Sequence, residues 1–170
     1  MDKRRRMPRG VAGQHETRYD RVTFEGRFRP CDCERCVIGP REFRWTARIT
    51  HVPGSGDCHR VVRVRAWGAG KTSQVLQADL LSKSMRSCAT DWAFPTSGGI
   101  RAIVDYALAN GWHRGGRGIW PLTEAAHGDR FELPAFLLTD RMVNDAAPDP
   151  TRRVIRAHQD SGEATNRPQR

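Results

Sequence analysis

The sequence lacks any long run of apolar residues, and no stretch approaches the roughly 18–20 residues that a membrane helix needs. Only 38% of the residues are hydrophobic, which indicates that part of the chain stays outside a packed core. The charged residues 1–6 are not followed by an apolar segment, so they do not resemble a signal or transit peptide. We therefore expect a cytoplasmic protein that does not associate with membranes and whose thiols stay reduced.

Lysine is scarce. The sequence has only three, Lys3, Lys71 and Lys83, so arginine carries nearly all of the positive charge. The net charge of +10 is unevenly distributed. Residues 1–30 contain nine basic and four acidic residues, a net +5, and residues 149–170 add a net +2 from five and three. Such flanks attract polyanions by releasing their counterions. The alternative is that they only keep the protein soluble.

Apolar patterning divides the chain into one domain and two flanks. The length of 170 residues suits a single domain with tails. Residues 1–22 lack apolar periodicity, which predicts a disordered basic N-terminal tail. The polar composition of 146–170 predicts a disordered C-terminal tail. Residues 23–145 are expected to form one α+β domain, in which no internal repeat is visible.

Three strands are predicted from residues that alternate between apolar and polar side chains. A glycine-rich segment at 68–70 predicts a hairpin turn between the second and the third strand. The leucines of the third segment also fit a helical period, so helix is the competing interpretation there. The three predicted strands are 42–52, 59–67 and 73–81.

The main helix is predicted after these strands. Thr96 or Ser97 can cap its first turn, and apolar residues recur at helical spacing from Ile100 to Leu108. Gly111 can adopt the left-handed conformation that ends a helix, and Trp112 can then fold back on the last turn.

The expected fold is α+β. It consists of a small antiparallel sheet, a three-strand meander plus one or two closing strands, with one main helix packed on one face. The closing strands are expected within 119–122 and 130–139.

Three of the five cysteines, Cys31, Cys33 and Cys36, lie within six residues. Thiolates bind zinc tetrahedrally, and a tight turn lets both sulfurs of a CxxC pair reach one ion. The segment 31–36 therefore predicts a zinc knuckle. The sequence has no second CxxC pair to complete it. The alternatives are three solvent-facing thiols on a loop or a redox-active CxxC pair.

The fourth zinc ligand must come from elsewhere in the chain. We expect Cys58–His59 and Cys88 at the far end of the sheet, because a strand of about ten residues spans roughly 33 Å. A helix antiparallel to the third strand ends near the knuckle, which favours His113, followed by His15. This choice assumes that the chain does not reverse direction between residues 37 and 41.

Four arginines occupy alternate positions of the first two strands and are expected on one outward face. An aromatic residue continues the row, and a lysine follows in the turn. Arginines that bind phosphates beside a ring that stacks on a base are a recurrent nucleic-acid surface. The alternative is an ordinary solvated face. We call this set the arginine surface: Arg44, Arg48, Arg63, Arg65, Trp67 and Lys71.

These patterns predict a non-enzymatic, zinc-stabilised protein that binds nucleic acid or assists a nucleic-acid process. The alternative from another class is a protein–protein interaction module with structural cysteines. Support for an enzyme is weakest. Cys58 and His59 suggest a nucleophile and its base, but neighbours in a strand point to opposite faces.

Overall fold

A computed structural model describes residues 34–38, 40–68, 73–113 and 115–165. Within these ranges six strands and three helices form an α+β fold, as predicted. No helix in the described part has the length and apolar content required to cross a membrane. The elements in chain order are β1 (Glu34–Ile38), β2 (Arg41–Pro53), β3 (Cys58–Gly68), β4 (Val75–Ser82), α1 (Ser97–Ala109), β5 (Ile119–Leu122), α2 (Glu124–His127), β6 (Phe136–Leu138) and α3 (Pro150–Thr165).

Strands β1 to β4 form an antiparallel meander, and both closing strands pair with β4. The predicted third strand is confirmed as β4, so the helical interpretation of that segment is wrong. β6 is antiparallel to β4, but β5 is parallel to it. The parallel pairing arises because α1 carries the chain back across the sheet before β5 begins.

β1 was not predicted, because its residues belong to the cysteine-rich segment. The chain reverses direction after β1, and Ile38 pairs with Arg41 at the start of β2. The second half of the predicted knuckle, from Glu34 to Cys36, is therefore a strand. The choice of His113 as the fourth zinc ligand assumed that the chain does not reverse between residues 37 and 41, so that argument for His113 no longer applies.

One face of the sheet packs against α1 and forms the main core. In β2 and β3 every second side chain points to this face. Trp45 of β2 and Trp112, which follows α1, are almost fully buried there. The cluster includes Phe43, Trp45, Val62, Val64, Ala66, Leu76, Ala78, Leu80, Ile100, Ile103, Val104, Ala107 and Trp112.

Helix α1 has the predicted signals at both ends. The hydroxyl of Thr96 accepts a hydrogen bond from the backbone N–H of Gly99 at 3.1 Å. Gly111 has a φ of +98°, and the backbone N–H of Trp112 donates to the Ala107 carbonyl at 2.9 Å. The Trp112 indole N–H also donates to the carbonyl of Gln74 at 3.2 Å, which ties the helix end to the sheet.

The C-terminal segment is helical, so the prediction of disorder over 146–170 is wrong for Pro150–Thr165. Val154 of α3 is buried against Val61 and Leu81, on the face of the sheet opposite α1. Asp149 and Pro150 form a typical helix start, because an aspartate caps the first turn and proline fits its first position. The helix was not predicted from this start because the segment contains few apolar residues.

Polar contacts also hold α3 in place. The guanidinium of Arg153 donates to the Leu138 carbonyl at 2.6 Å and lies 3.1 Å from the carboxylate of Glu124. At the start of the helix, the Asp149 carboxylate accepts hydrogen bonds from the backbone N–H and the hydroxyl of Ser55 at 2.9 and 2.6 Å. The helix is therefore fixed to β6, to α2 and to the loop between β2 and β3.

Replacing Gly111 by valine should lower the free energy of unfolding by about 1 kcal/mol or more, because a β-branched residue resists a φ of +98°. Space is not the cause, since a Cβ at Gly111 would meet no atom within 4 Å. Gly115→Val is the matched control, because its Cβ also meets nothing and its φ is not positive. Urea denaturation of both variants measures the difference, and equal effects would contradict this account of the helix end.

Candidate nucleic-acid interface and cysteine–histidine cluster

The pairing of β2 with β3 places the predicted arginine surface on one side of the sheet. Arg44 lies directly opposite Trp67, and Arg48 lies opposite Arg63. Arg65 pairs with Thr46 between these two positions. Cross-strand partners point to the same face, so the expected shared orientation is confirmed for these five residues. Lys71, the sixth member, lies outside the described residues.

Two of these arginines are held by side chains of β4. The guanidinium of Arg63 donates to both carboxylate oxygens of Asp79 at 2.7 Å, and this bidentate contact raises the pKa of Arg63. Asp79 is only 7% exposed, so the pair is largely shielded from water. Arg65 donates to the Gln77 amide oxygen at 2.9 Å. Asp79 thus neutralises one arginine, and Gln77 orients another.

Arg35 extends the arginine surface and was missed by the sequence analysis. It lies in β1 directly opposite Arg44, on the same face. The carboxylate of Glu42 is 3.5 Å from the Nε of Arg35 and 3.9 Å from that of Arg44. If the β1–β2 hairpin had been predicted, the alternation of side chains along β1 would have placed Arg35 on the same face as Arg44.

An open pocket of about 380 Å³ lies on the arginine surface. Its wall includes Met142, which follows β6. Met142 packs against the small buried cluster beneath α3 that contains Val61, Leu81 and Val154. The pocket is therefore bounded by the sheet on one side and by the segment that leads into α3 on another. The remaining lining residues are Thr46, Arg48, Ile49, Thr50, Arg63 and Arg65.

The predicted zinc knuckle is only partly described. Cys31 and Cys33 lie outside the described residues. Cys36 lies in β1 opposite Phe43 and is packed in the main core, where burial raises the pKa of its thiol. His113 is exposed, and its backbone N–H donates to the Gln74 side chain at 3.2 Å. Zinc binding by these four residues remains a prediction.

A different group of ligand side chains meets at the other end of the sheet. The ligand atoms of His51, Cys58 and Cys88 all lie within 4.8 Å of one another. His51 is near the end of β2, Cys58 begins β3, and Cys88 lies in the loop after β4. The Cys58 sulfur is 3.6 Å from the Nδ1 of His51. We call these three residues the cysteine–histidine cluster, and they can hold a metal ion.

The sequence contained a signal for this cluster. Cys58 and Cys88 were both expected at the far end of the sheet, and for that reason they were rejected as ligands of the knuckle. His51 was not considered. It pairs with Arg60, two residues after Cys58, so His51 and Cys58 are diagonal neighbours on one face of the hairpin.

The environment of Cys58 does not favour a reactive thiolate. Burial raises its pKa to about 12, and a hydrogen bond with Cys88 and the charge of Asp57 act in the same direction. Burial, reinforced by the charge of Arg60, lowers the pKa of His51. A neutral thiol therefore faces a neutral imidazole at pH 7, whereas a nucleophilic cysteine needs a lowered pKa.

Cys58 and His59 point to opposite faces, as the strand pattern predicted. The imidazole Nε2 of His59 lies 2.8 Å from the hydroxyl of Thr151 in α3, on the face away from Cys58. His59 thus contributes to the docking of α3 and is not paired with Cys58 as a catalytic base.

Comparison with known proteins identifies no relationship: the sequence matches no family model, no curated protein and no solved structure. The functional proposals below therefore rest on the geometry of the described residues.

Proposed function

We propose that this is a non-enzymatic, zinc-stabilised protein that binds single-stranded nucleic acid through the arginine surface. The observation that carries the proposal is the β2–β3 register, which aligns Arg44 with Trp67 and Arg48 with Arg63 on one side of the sheet. Arginines supply charge-assisted hydrogen bonds to phosphates, and an adjacent indole ring supplies a stacking platform for a base.

The charges on this face are suited to a polyanion. Five arginines, including Arg35, share the face with two carboxylates, Glu42 and Asp79, which leaves a net charge of +3. Arg48 and Arg65 are exposed, and no carboxylate in the described part of the chain forms a salt bridge with either. Their guanidinium groups are therefore the ones available to phosphates.

A single strand fits this surface better than a duplex. Trp67 is half-buried in the sheet face, where a ring can stack only on a base that has left its own stack. The open pocket beside Arg48 and Arg65 provides room next to these contacts. Duplex recognition usually places a helix or a two-stranded ribbon in a groove, whereas the arginine surface is the face of a six-stranded sheet.

Zinc stabilisation is the second part of the proposal. The sequence assigns the ion to Cys31, Cys33, Cys36 and His113, a set whose first two members lie outside the described residues. Cys36 packs in the apolar core, so zinc stabilisation is better supported by the cysteine–histidine cluster, whose ligand atoms lie together. The described cysteines Cys36, Cys58 and Cys88 are free thiols, which is compatible with a reducing, cytoplasmic location.

A protein–protein interaction module is the second candidate. Val37 is 64% exposed and Ile119 is 54% exposed, and both lie on the same side of the sheet as the arginines. Exposed apolar side chains at the edges of a polar face are a feature of protein interfaces. This candidate replaces nucleic-acid binding if the substitutions below have no effect.

Arg48→Ala combined with Arg65→Ala should weaken binding to a labelled oligothymidine, because two phosphate contacts are lost. The slope of log affinity against log salt concentration should become shallower by roughly 1.4, since each contact to a single strand contributes about 0.7. Fluorescence anisotropy at several salt concentrations measures both quantities. Arg63 is not substituted in this test, because its loss would leave the buried carboxylate of Asp79 unpaired.

The matched control is Arg101→Ala combined with Arg130→Ala, which removes the same charge from exposed positions in α1 and after α2. If both double variants weaken binding equally, only net charge matters, and the arginine surface is not the interface. If neither weakens it, the interaction-module candidate replaces the proposal.

Trp67→Ala should weaken binding to the same oligonucleotide by about 1–3 kcal/mol, because the base loses its stacking partner. The salt slope should stay nearly unchanged, since no phosphate contact is removed. Trp92→Ala is the control, because Trp92 is 72% exposed in the loop after β4. A loss that is equal for both tryptophans, or absent for Trp67, would contradict the stacking role.

A further inference from the structure

The cysteine–histidine cluster lies at the end of the sheet away from Cys36, the one described cysteine of the knuckle, and takes no part in the proposed interface. We infer that His51, Cys58 and Cys88 bind one zinc ion, which ties the loop after β4 to the end of the β2–β3 hairpin. This site is separate from the one that the sequence pattern predicted, and it does not depend on nucleic-acid binding.

The distances fit tetrahedral zinc. Zinc–sulfur bonds of about 2.3 Å and zinc–nitrogen bonds of about 2.0–2.1 Å place a sulfur and a nitrogen ligand about 3.6 Å apart at the tetrahedral angle. The Cys58 sulfur and the His51 Nδ1 are 3.6 Å apart. All three ligand atoms lie within 4.8 Å of one another, so only small side-chain movements are needed to surround one ion.

The donor set selects zinc among the common divalent cations. Magnesium and calcium prefer oxygen ligands, whereas two thiolates and one imidazole suit zinc. Two thiolates also neutralise the charge of the ion. Three protein ligands leave one tetrahedral position, and we assign it to water because His51 is exposed to solvent.

The ligands come from three separate segments, so a bound ion would cross-link them. The loop after β4 already contacts the hairpin through Arg60, whose guanidinium donates to the carbonyls of Asp91 and Ala93 at 2.8 and 2.9 Å. Cys88 lies three residues before Asp91 in the same loop. Zinc at Cys88 would therefore fix this loop at a second point, close to the first.

The test is the zinc content of the purified full-length protein, measured by elemental mass spectrometry. His51→Asn, Cys58→Ser and Cys88→Ser should each lose about one equivalent relative to the unaltered protein. His158→Asn, an exposed position in α3, should lose none. Cys33→Ser separates the two sites, because it should remove only zinc that is bound at the knuckle. Unchanged zinc content in all three cluster variants would overturn the inference.

A second measurement uses the unaltered protein and does not depend on the folding of variants. Alkylation of Cys58 and Cys88 by iodoacetamide, quantified by peptide mass spectrometry, should become severalfold faster after a chelator removes zinc. Adding zinc back should restore protection, and a cobalt-loaded sample should show thiolate-to-cobalt charge transfer that is weaker in Cys88→Ser, because that variant loses one of the thiolate ligands. Equal alkylation with and without zinc would overturn the site. Oligothymidine binding by Cys88→Ser reports on the proposed function separately.

Discussion

Eleven residue pairs join β2 to β3, and most of the features that bear on function depend on this register. Because strand side chains alternate between faces, the register directs Trp45 and Val64 toward α1 and directs Arg48 and Arg63 to the opposite side. It also brings His51 and Cys58 together at the end of the hairpin. A slip of one residue would place the arginines in the core, so the burial of the apolar set strongly specifies this pairing.

The two faces of the sheet are covered unequally, and this leaves the arginine surface open. Helix α1 covers one face along the main core. On the other face, Val154 of α3 packs against Val61 and Leu81 near one end only. Beyond that contact the same strands carry Arg63 and Arg65, which β4 orients through Asp79 and Gln77. Packing at one end of the face thus leaves a charged surface open at the other.

Local patterns were sufficient to predict much of this architecture. Strict alternation identified β2, β3 and β4, and the helical spacing from Ile100 together with Gly111 defined α1. These signals succeed because the side chains concerned are buried on one face, which ties the residue pattern directly to the structure. The shared face of the arginines followed from the same period of two.

The features that were missed depend on contacts between distant parts of the chain. β1 was hidden because its cysteine was interpreted as a zinc ligand, although Cys36 packs in the core. Among the residues of α3 whose burial is described, only Pro150 and Val154 are buried, and polar contacts contribute much of its docking, so a broad apolar stripe is missing. The cysteine–histidine cluster joins residues that are up to 37 positions apart in sequence, and no short spacing motif could reveal it.

The central claim is that nucleic acid binds on the arginine surface. The most direct test is a map of amide chemical-shift changes in nitrogen-15-labelled protein as an oligothymidine is added. We predict the largest changes within residues 44–48 and 63–67, and small changes in α1, which lies across the sheet. Changes concentrated in α1 or in the loop after β4, or the absence of any change at low salt, would contradict the account.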